Sequence, residues 1–584
     1  MTTPVISSII KAMLQSLKVT FLVLLGFGLP LHGAITVFGP DVIRWWKELL
    51  LIGLFFLIGT SLLTRKNYFS EGTLHLKNII AHPITWAIVF LVWGIILVLI
   101  NKDLHTALVA YRYLGLGFVA TVLGYALWRT ALYSAKNGYT QGVNLFHKFC
   151  TALLIGTVVS TLFGLWAKFL GGYQGLTGWY SATISSWVPG QTIPLYHQVG
   201  DFVRLQGASS GPVEYGHLAL LGVWYVLFFK LKNSAQNNLF YGAVLGVLLF
   251  GIWHSGSRAA VLGALILGIL VLWNAVKLKY KIVPVQWSAD KAAALLLVVI
   301  VLVGMAKFTL SKAIVGETDL LSKNIVRISD SDHLTRPILA FNKALESPII
   351  GNLGELGPAA RAKNLAVNNN DQAPIAESVP FDVAAQMGFV GFLVWLLFFI
   401  SYYSLASAPM RALLITFTPL MLLATIFDMA PLSISFFIIL GLGLVLPSIK
   451  VATLKDHQAV LKLKRLAFKV YVEQVWGWKE AEQKQFVSQE LAQGGIFLVH
   501  LDRQVRATYC LLESDDCTKV YSFYVHPEQQ SLGLGSYLLK TVMPPSVLRL
   551  QVLKVNSSAK AFYESHGFNI EGEDEHHWHL SRLI

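Results

Sequence analysis

Apolar residues run in long, nearly unbroken stretches through the first three quarters of the chain. Near residue 450 they give way to short alternating stretches between polar helical segments. The hydrocarbon core of a bilayer takes about 20 mostly apolar residues per helix. Twelve runs have that length, near 17–37, 46–64, 82–100, 105–128, 147–170, 213–230, 237–254, 258–276, 291–309, 385–405, 411–428 and 430–449, the last two divided at Asp428–Pro431. The first is not expected to be a cleaved signal peptide, because Pro30 and Gly33 lie within it and no small-residue cleavage site follows. Beyond residue 451 the period changes to two: alternation over 495–500, 504–512 and 519–525 predicts strands, after helical segments at 458–474 and 478–492 and before a helix beginning near Gly535. The pattern predicts a polytopic α-helical membrane protein of about 12 transmembrane helices (1–450) with a C-terminal soluble α/β domain (451–584).

Composition sharpens that division. Of the 584 residues 55% are hydrophobic and 13% charged, against about 25% charged in soluble domains. Residues 451–584 hold 15 basic and 15 acidic residues, so residues 1–450, with 31 basic and 17 acidic, carry the whole net charge of +14. That excess flanks apolar runs, which makes it a membrane signature and not a nucleic-acid footprint. With the N-terminus inside, the inner connections carry Lys11, Lys18, Arg65, Lys66, Lys77, Arg129, Lys136, Lys148, Lys230, Lys232, Lys277, Lys279, Lys281, Lys291 and Arg411. The short outer ones carry only Arg44, Lys47, Lys102, Lys168, Arg204 and Arg258. The bias predicts a multi-pass protein of the cytoplasmic (inner) membrane with its tail in the cytoplasm. The long connections 171–212 and 310–384 fall outside, and loops of such length are functional or disordered. Three cysteines, one in an apolar run and two in the tail, make neither a disulfide framework nor a zinc site. No metal is expected.

Three stretches of the apolar part resemble the O-antigen ligase/polymerase family of envelope glycosyltransferases over roughly residues 15–450. They are Arg204-Leu-Gln-Gly-Ala-Ser-Ser-Gly-Pro; His254-Ser-Gly-Ser-Arg258-Ala-Ala; and the large outer loop, with Arg336, Glu346-Ser-Pro-Ile-Ile-Gly351-Asn-Leu-Gly354, Glu377-Ser378 and Gln386-Met-Gly-Phe-Val-Gly391. The resemblance implies transfer, at the outer face, of a glycan from an undecaprenyl-diphosphate carrier to an acceptor glycan or lipid. Departure of a lipid diphosphate needs fixed positive charge and a base near the acceptor. Arg204, Arg258 and Arg336 are the candidates for the charge, as guanidinium groups keep their charge and bind phosphate bidentately. Ligase-type relatives place a His-Asn pair where Glu377-Ser378 stands, so the departure favours a polymerase, with Glu377 a candidate base if burial raises its pKa. Arg112, within the fourth run, needs a partner or a task. A secondary transporter is the competing class, but no internal repeat accompanies the runs.

In the tail, the join Tyr524-Val-His-Pro-Glu-Gln-Gln530-Ser-Leu-Gly533-Leu-Gly535-Ser is a strand, a glycine turn and a helix start. Such a turn offers backbone N–H groups to phosphate. It lacks the Gly-Lys-Ser/Thr of a Walker loop and the spacing of a nicotinamide fingerprint. Gln530, Gly533 and Gly535, with Asn556-Ser-Ser-Ala559-Lys-Ala-Phe562-Tyr563-Glu564-Ser-His-Gly567-Phe568 downstream, resemble the GNAT N-acetyltransferase family over about 465–584. The resemblance implies acetyl-CoA as cofactor and an amine as acceptor. By it, the backbone of Gln530, Ser531, Leu532, Gly533, Leu534, Gly535 and Ser536 holds the pyrophosphate. Val525 ends the strand that pairs with the pantetheine arm, Asn556 contacts the cofactor, and Tyr563 protonates the departing thiolate. Core packing beside Phe562 is the alternative role for Tyr563. Ala507-Thr508 replaces a glycine common in relatives, with an effect expected on packing. The general base is not legible; Glu513 and Glu473 are guesses. His576, His577 and His579 are too closely spaced in one strand for a metal site. The expected whole is a bifunctional protein of cell-envelope polysaccharide biosynthesis, with the tail acetylating an amino-sugar precursor or, alternatively, sensing acetyl-CoA without turnover.

Overall fold

The computed structural model describes residues 3–38, 45–63, 82–132, 137–169, 198–199, 202–231, 235–279, 328–366, 375–501, 504–514, 516–541, 543 and 547–582. The run at 291–309, most of the connection 171–212, His197, and the basic residues Arg44, Arg65, Lys66, Lys77, Lys136, Lys232, Lys281 and Lys291 lie outside them. The chain forms two compact units.

The first unit comprises Met1–Leu127, Leu145–Ser404 and Pro409–Gly443. Among the described residues, seven helices are long and apolar enough to cross a membrane, and Arg258–Trp273, Ala408–Leu423 and Ala430–Gly443 are shorter apolar helices. Helices approach closely where glycine permits it. A Cβ on Gly441 would stand 2.2 Å from the Thr121 carbonyl oxygen and one on Gly124 2.9 Å from that of Ile438, while the Thr121 hydroxyl donates to the Phe437 carbonyl at 3.0 Å. Small residues at such crossings let the helix backbones come together. The helix Val379–Leu405 is broken at Gly388, whose φ is 70°. The break lets Phe389 N–H donate to the Pro348 carbonyl at 2.7 Å.

The second unit comprises Trp128–Asn144, Leu405–Ala408 and Leu444–Ile584. Its seven strands are β1 (Ser448–Val451), β2 (Ile496–Leu501), β3 (Gln504–Glu513), β4 (Thr518–Val525), β5 (Leu548–Leu553), β6 (Asn569–Glu573) and β7 (His577–Arg582). They lie in the order β1-β2-β3-β4-β5-β7-β6, antiparallel except for β4–β5. Helices α1 (His457–Val475), α2 (Glu480–Gln493), α3 (Leu534–Thr541) and α4 (Ser557–Glu564) accompany them. The apolar stripe of α1 and α2 (Val460, Leu461, Val487, Leu491) closes on Ile496, Leu498 and Cys510 of the sheet, the burial that holds an amphipathic helix to a β-layer. One expected boundary is corrected here. The last apolar run ends as helix at Gly443, not 449, because Ser448–Val451 pairs as β1 with Phe497–His500.

Two features of the sheet open a site. The parallel pairing of β4 with β5 joins only Thr518 to Leu548 and Lys519 to Arg549, and beyond it the strands part. On the other side β4 bulges against β3: Thr508 pairs with Tyr524 and Cys510 with Tyr521, so Ser522 and Phe523 face Tyr509 alone. Ser522 takes φ 47°, and a bulge of this kind re-aims side chains at a strand's centre.

Candidate active site

Where β4 and β5 part lies a cavity of about 470 Å³, lined by β4 from Val520 to Val525, by β5, by the 529–536 turn, by Asn556 and Tyr563, and by Ala467, Phe468 and Tyr471 of α1. The turn between β4 and α3 closes one end. Ser531 has φ 61° and Gly533 φ 97°. None of the six N–H groups from Ser531 to Ser536 has a backbone acceptor among the described residues. Gln530 contributes differently from the expectation: its N–H is taken by the Pro527 carbonyl at 3.2 Å, and its side chain donates to the Val525 carbonyl at 3.0 Å. It therefore braces the turn against the strand end and offers no backbone donor.

Asn556 caps α4: its Oδ1 accepts from Ala559 N–H at 3.0 Å and from the Ser558 hydroxyl at 3.0 Å. The cap fixes the amide where it borders the cavity. Tyr563, two turns further along α4 and 8% exposed, packs among Phe562, Phe568 and Phe523. Its hydroxyl has no hydrogen-bond partner among the described residues. Burial raises its pKa well above the ordinary tyrosine value, so the phenol carries its proton at neutral pH.

Residues 492–570 match the family model described as acetyltransferase (GNAT) domain. The second unit carries a GNAT acetyltransferase domain. The 5-NmdU N-acetyltransferase of Pseudomonas phage PaMx11 is 34% identical over 85 residues, 14% of this chain and 61% of that protein; the chain thus spans under two thirds of this curated relative. Among solved structures, the PaiA N-acetyltransferase of Thermoplasma acidophilum in complex with coenzyme A is 18% identical, covering 24% of this chain and 99% of that one (TM-score 0.21). The ribosomal-protein-S18-alanine N-acetyltransferase of Escherichia coli is 21% identical, covering 24% and 94% (TM-score 0.20). The family match makes acetyl-CoA the cofactor of the GNAT unit. The residues fit it: a run of unclaimed N–H groups at a helix start suits a diphosphate, and the slot between β4 and β5 leaves strand-edge groups for an extended amide arm.

The GNAT unit also holds polar groups that the sequence did not point to. The Ser522 hydroxyl, in the cavity wall, donates to Glu490 Oε1 at 2.8 Å. Glu490 Oε2 is buried without a hydrogen bond. The Thr508 hydroxyl donates to the Ser522 carbonyl at 2.9 Å and is fully buried, so this residue pins the bulge and does more than fill space. Neither guessed base reaches the cavity: Glu473 is exposed beside Lys469 and Glu513 is exposed at the end of β3. His577 and His579 both bond to Asp574, at 3.1 and 2.9 Å, and no metal-binding cluster occurs among the described residues.

In the first unit the singled-out arginines fall into three groups. Arg204 Nε donates to the Ser255 carbonyl at 2.7 Å, and Leu205 N–H to that of His254 at 2.8 Å. This ties Arg204 to the segment that leads into the helix starting at Arg258, and the two guanidinium groups interact electrostatically. Arg336 Nη1 pairs with Glu377 Oε1 at 3.2 Å. The pair brings together two residues that the sequence singled out for separate tasks. Arg112 has its partner too: it pairs with Glu48 and lies over the Trp45 ring at 5.0 Å.

Proposed function

We propose that the GNAT unit moves an acetyl group from acetyl-CoA to a primary amine, with Tyr563 as proton donor and Ser522–Glu490 as the proton acceptor on the amine's side. When bound, acetyl-CoA supplies the acetyl thioester. The observation that carries the reading is the pair of open groups: a proton-bearing phenol without a protein partner in the cavity, and a buried carboxylate one hydroxyl away from it. As the acceptor nitrogen forms its bond to the acetyl carbon and the carbon–sulfur bond breaks, the nitrogen's proton passes to Ser522 Oγ and the serine's own to Glu490. Tyr563 gives its proton to the departing sulfur. The turn from Ser531 to Ser536 holds the diphosphate through backbone donors, and Asn556 fixes the arm between the strands. Release of free CoA by the full chain, screened over nucleotide amino sugars, peptide amines and the 5-NmdU named in the phage relative, tests this. Tight CoA binding with no release across the panel would leave the unit a sensor.

For the first unit we propose transfer or polymerisation of an undecaprenyl-diphosphate-linked glycan at the outer face of the bacterial inner membrane, with the GNAT unit in the cytoplasm. Support comes from the order of the three motif stretches and from the hydrogen bonds that bring Arg204 to the segment before Arg258. Arg204 and Arg258 neutralise the leaving diphosphate. Arg336 and Glu377 act as a pair, the arginine orienting the carboxylate toward the acceptor. Glycan assembly in cells carrying Arg258→Ala at normal expression is the test, and undiminished assembly removes the residue from the mechanism.

A further inference from the structure

One residue in the wall of the acetyl-CoA cavity comes from far outside the stretch that matches the family: Asn137. It belongs to Trp128–Asn144, which is part of the same compact unit as the sheet. The segment is built onto the phosphate turn. Asn137 N–H donates to the Ser531 carbonyl at 3.0 Å and Tyr139 N–H to the Leu532 carbonyl at 2.8 Å. Tyr139 is fully buried, meets the Tyr537 ring of α3 edge to face at 5.5 Å, and donates its hydroxyl to the Val445 carbonyl at 2.9 Å. Thr140 Oγ1 lies 2.5 Å from where a Cβ on Gly533 would stand, and Asn137 Oδ1 lies 3.6 Å from it.

In a trans peptide the C=O of one residue and the N–H of the next point in opposite directions. Turning the carbonyls of Ser531 and Leu532 onto this segment therefore aims the N–H groups of Leu532 and Gly533 away from it, as donors for a ligand. Resting on the acetyl-CoA assignment, we propose that Asn137, Tyr139 and Thr140 complete the diphosphate end of the cofactor site. Asn137 is a cofactor-binding side chain at its rim, and Tyr139 and Thr140 are positioning residues that hold the turn. Cofactor affinity then depends on residues that precede the GNAT sequence by several hundred positions. Gly533 is required twice over, by its φ of 97° and by the approach of Thr140.

The test is CoA binding by the full chain in detergent or nanodiscs, measured by calorimetry together with the melting temperature without ligand. Asn137→Asp places a negative charge beside the diphosphate and should weaken CoA about tenfold, and Asn137→Gly, which tolerates the φ of 66° at this position, about threefold, with the ligand-free melting temperature unchanged. Unchanged CoA affinity in Asn137→Asp overturns the proposal. So does a loss of affinity that appears only together with a lowered ligand-free melting temperature, since that reports damage to the turn. If the unaltered chain binds no CoA at all, the acetyltransferase reading itself fails, and the two failures are thereby distinguished.

Discussion

The groups singled out as candidate chemistry are placed differently in the two units. In the apolar unit three of the arginines that drew notice are held: Arg112 by Glu48, Arg336 by Glu377 and Arg204 by the Ser255 carbonyl. In the GNAT unit the Tyr563 phenol and the turn from Ser531 to Ser536 border a cavity, the turn's N–H groups have no backbone acceptor among the described residues, and one oxygen of Glu490 is buried without a hydrogen bond behind Ser522. The difference follows from the surroundings. A charge with little access to water is stabilised by a partner in the protein, whereas a donor that lines a cavity can stay open until a ligand takes it. A held arginine is therefore ambiguous between structure and chemistry, and an open donor in a cavity is not.

Removing an open group should cost rate, and removing a held one should cost stability. The largest effect is expected from Tyr563→Phe, which should lower kcat about 100-fold with CoA affinity unchanged. A mutant within twofold of the unaltered chain would leave Tyr563 as a packing residue. Glu490→Gln should lower kcat about tenfold at neutral pH, without loss of melting temperature; equal losses in both would turn Glu490 into a structural group. On the held side, Arg336→Ala should destabilise the detergent-solubilised chain by about 1–2 kcal/mol, a partly exposed pair being weaker than a fully buried one. If a double Arg336→Ala, Glu377→Ala chain is no less stable than either single variant, the two act as a unit; additive losses would separate them. Thr508→Val should cost about 1 kcal/mol through the lost bond to the bulge and change kcat only a few-fold, read from thermal unfolding beside CoA release.

The pH dependence sharpens the same contrast. Burial raises the Tyr563 pKa, so its neutral form persists past the ordinary tyrosine value of about 10. The stability it lends is present below that value and is lost as pH rises from there through the raised folded-state pKa. A Tyr563-dependent fall in kcat with its midpoint below pH 10 would contradict the burial.

Much of the GNAT unit was legible because its signals are local. The turn from Gln530 to Gly535 and the stretch from Asn556 to Phe568 are short, and glycine and cap positions within them answer to backbone geometry alone. The strands and helices followed from period. The apolar runs were legible as runs, but Trp46–Leu63 and its neighbours say nothing of which side chains meet. Glu48 opposite Arg112, and Glu377 beside Arg336, are pairings across the fold. The end of the last apolar run was misplaced because Leu444–Ser448 is as apolar as a helix, and only its neighbour β2 reveals that the chain has turned into a sheet.

By itself the sequence determined that an apolar helical part is joined to an α/β part, because hydrophobic period is a property of neighbouring residues, and acetyl-CoA followed from the motifs' resemblance to the GNAT family. It also pointed to Tyr563 and Asn556, which both line the cavity. The tertiary structure alone decided which groups meet: Ser522 with Glu490, Thr508 with the bulge, and Asn137 and Tyr139 with the phosphate turn. These contacts join residues far apart in the chain, and neither their side chains nor their spacing carries a local trace of the partner; chain closure in three dimensions brings them together.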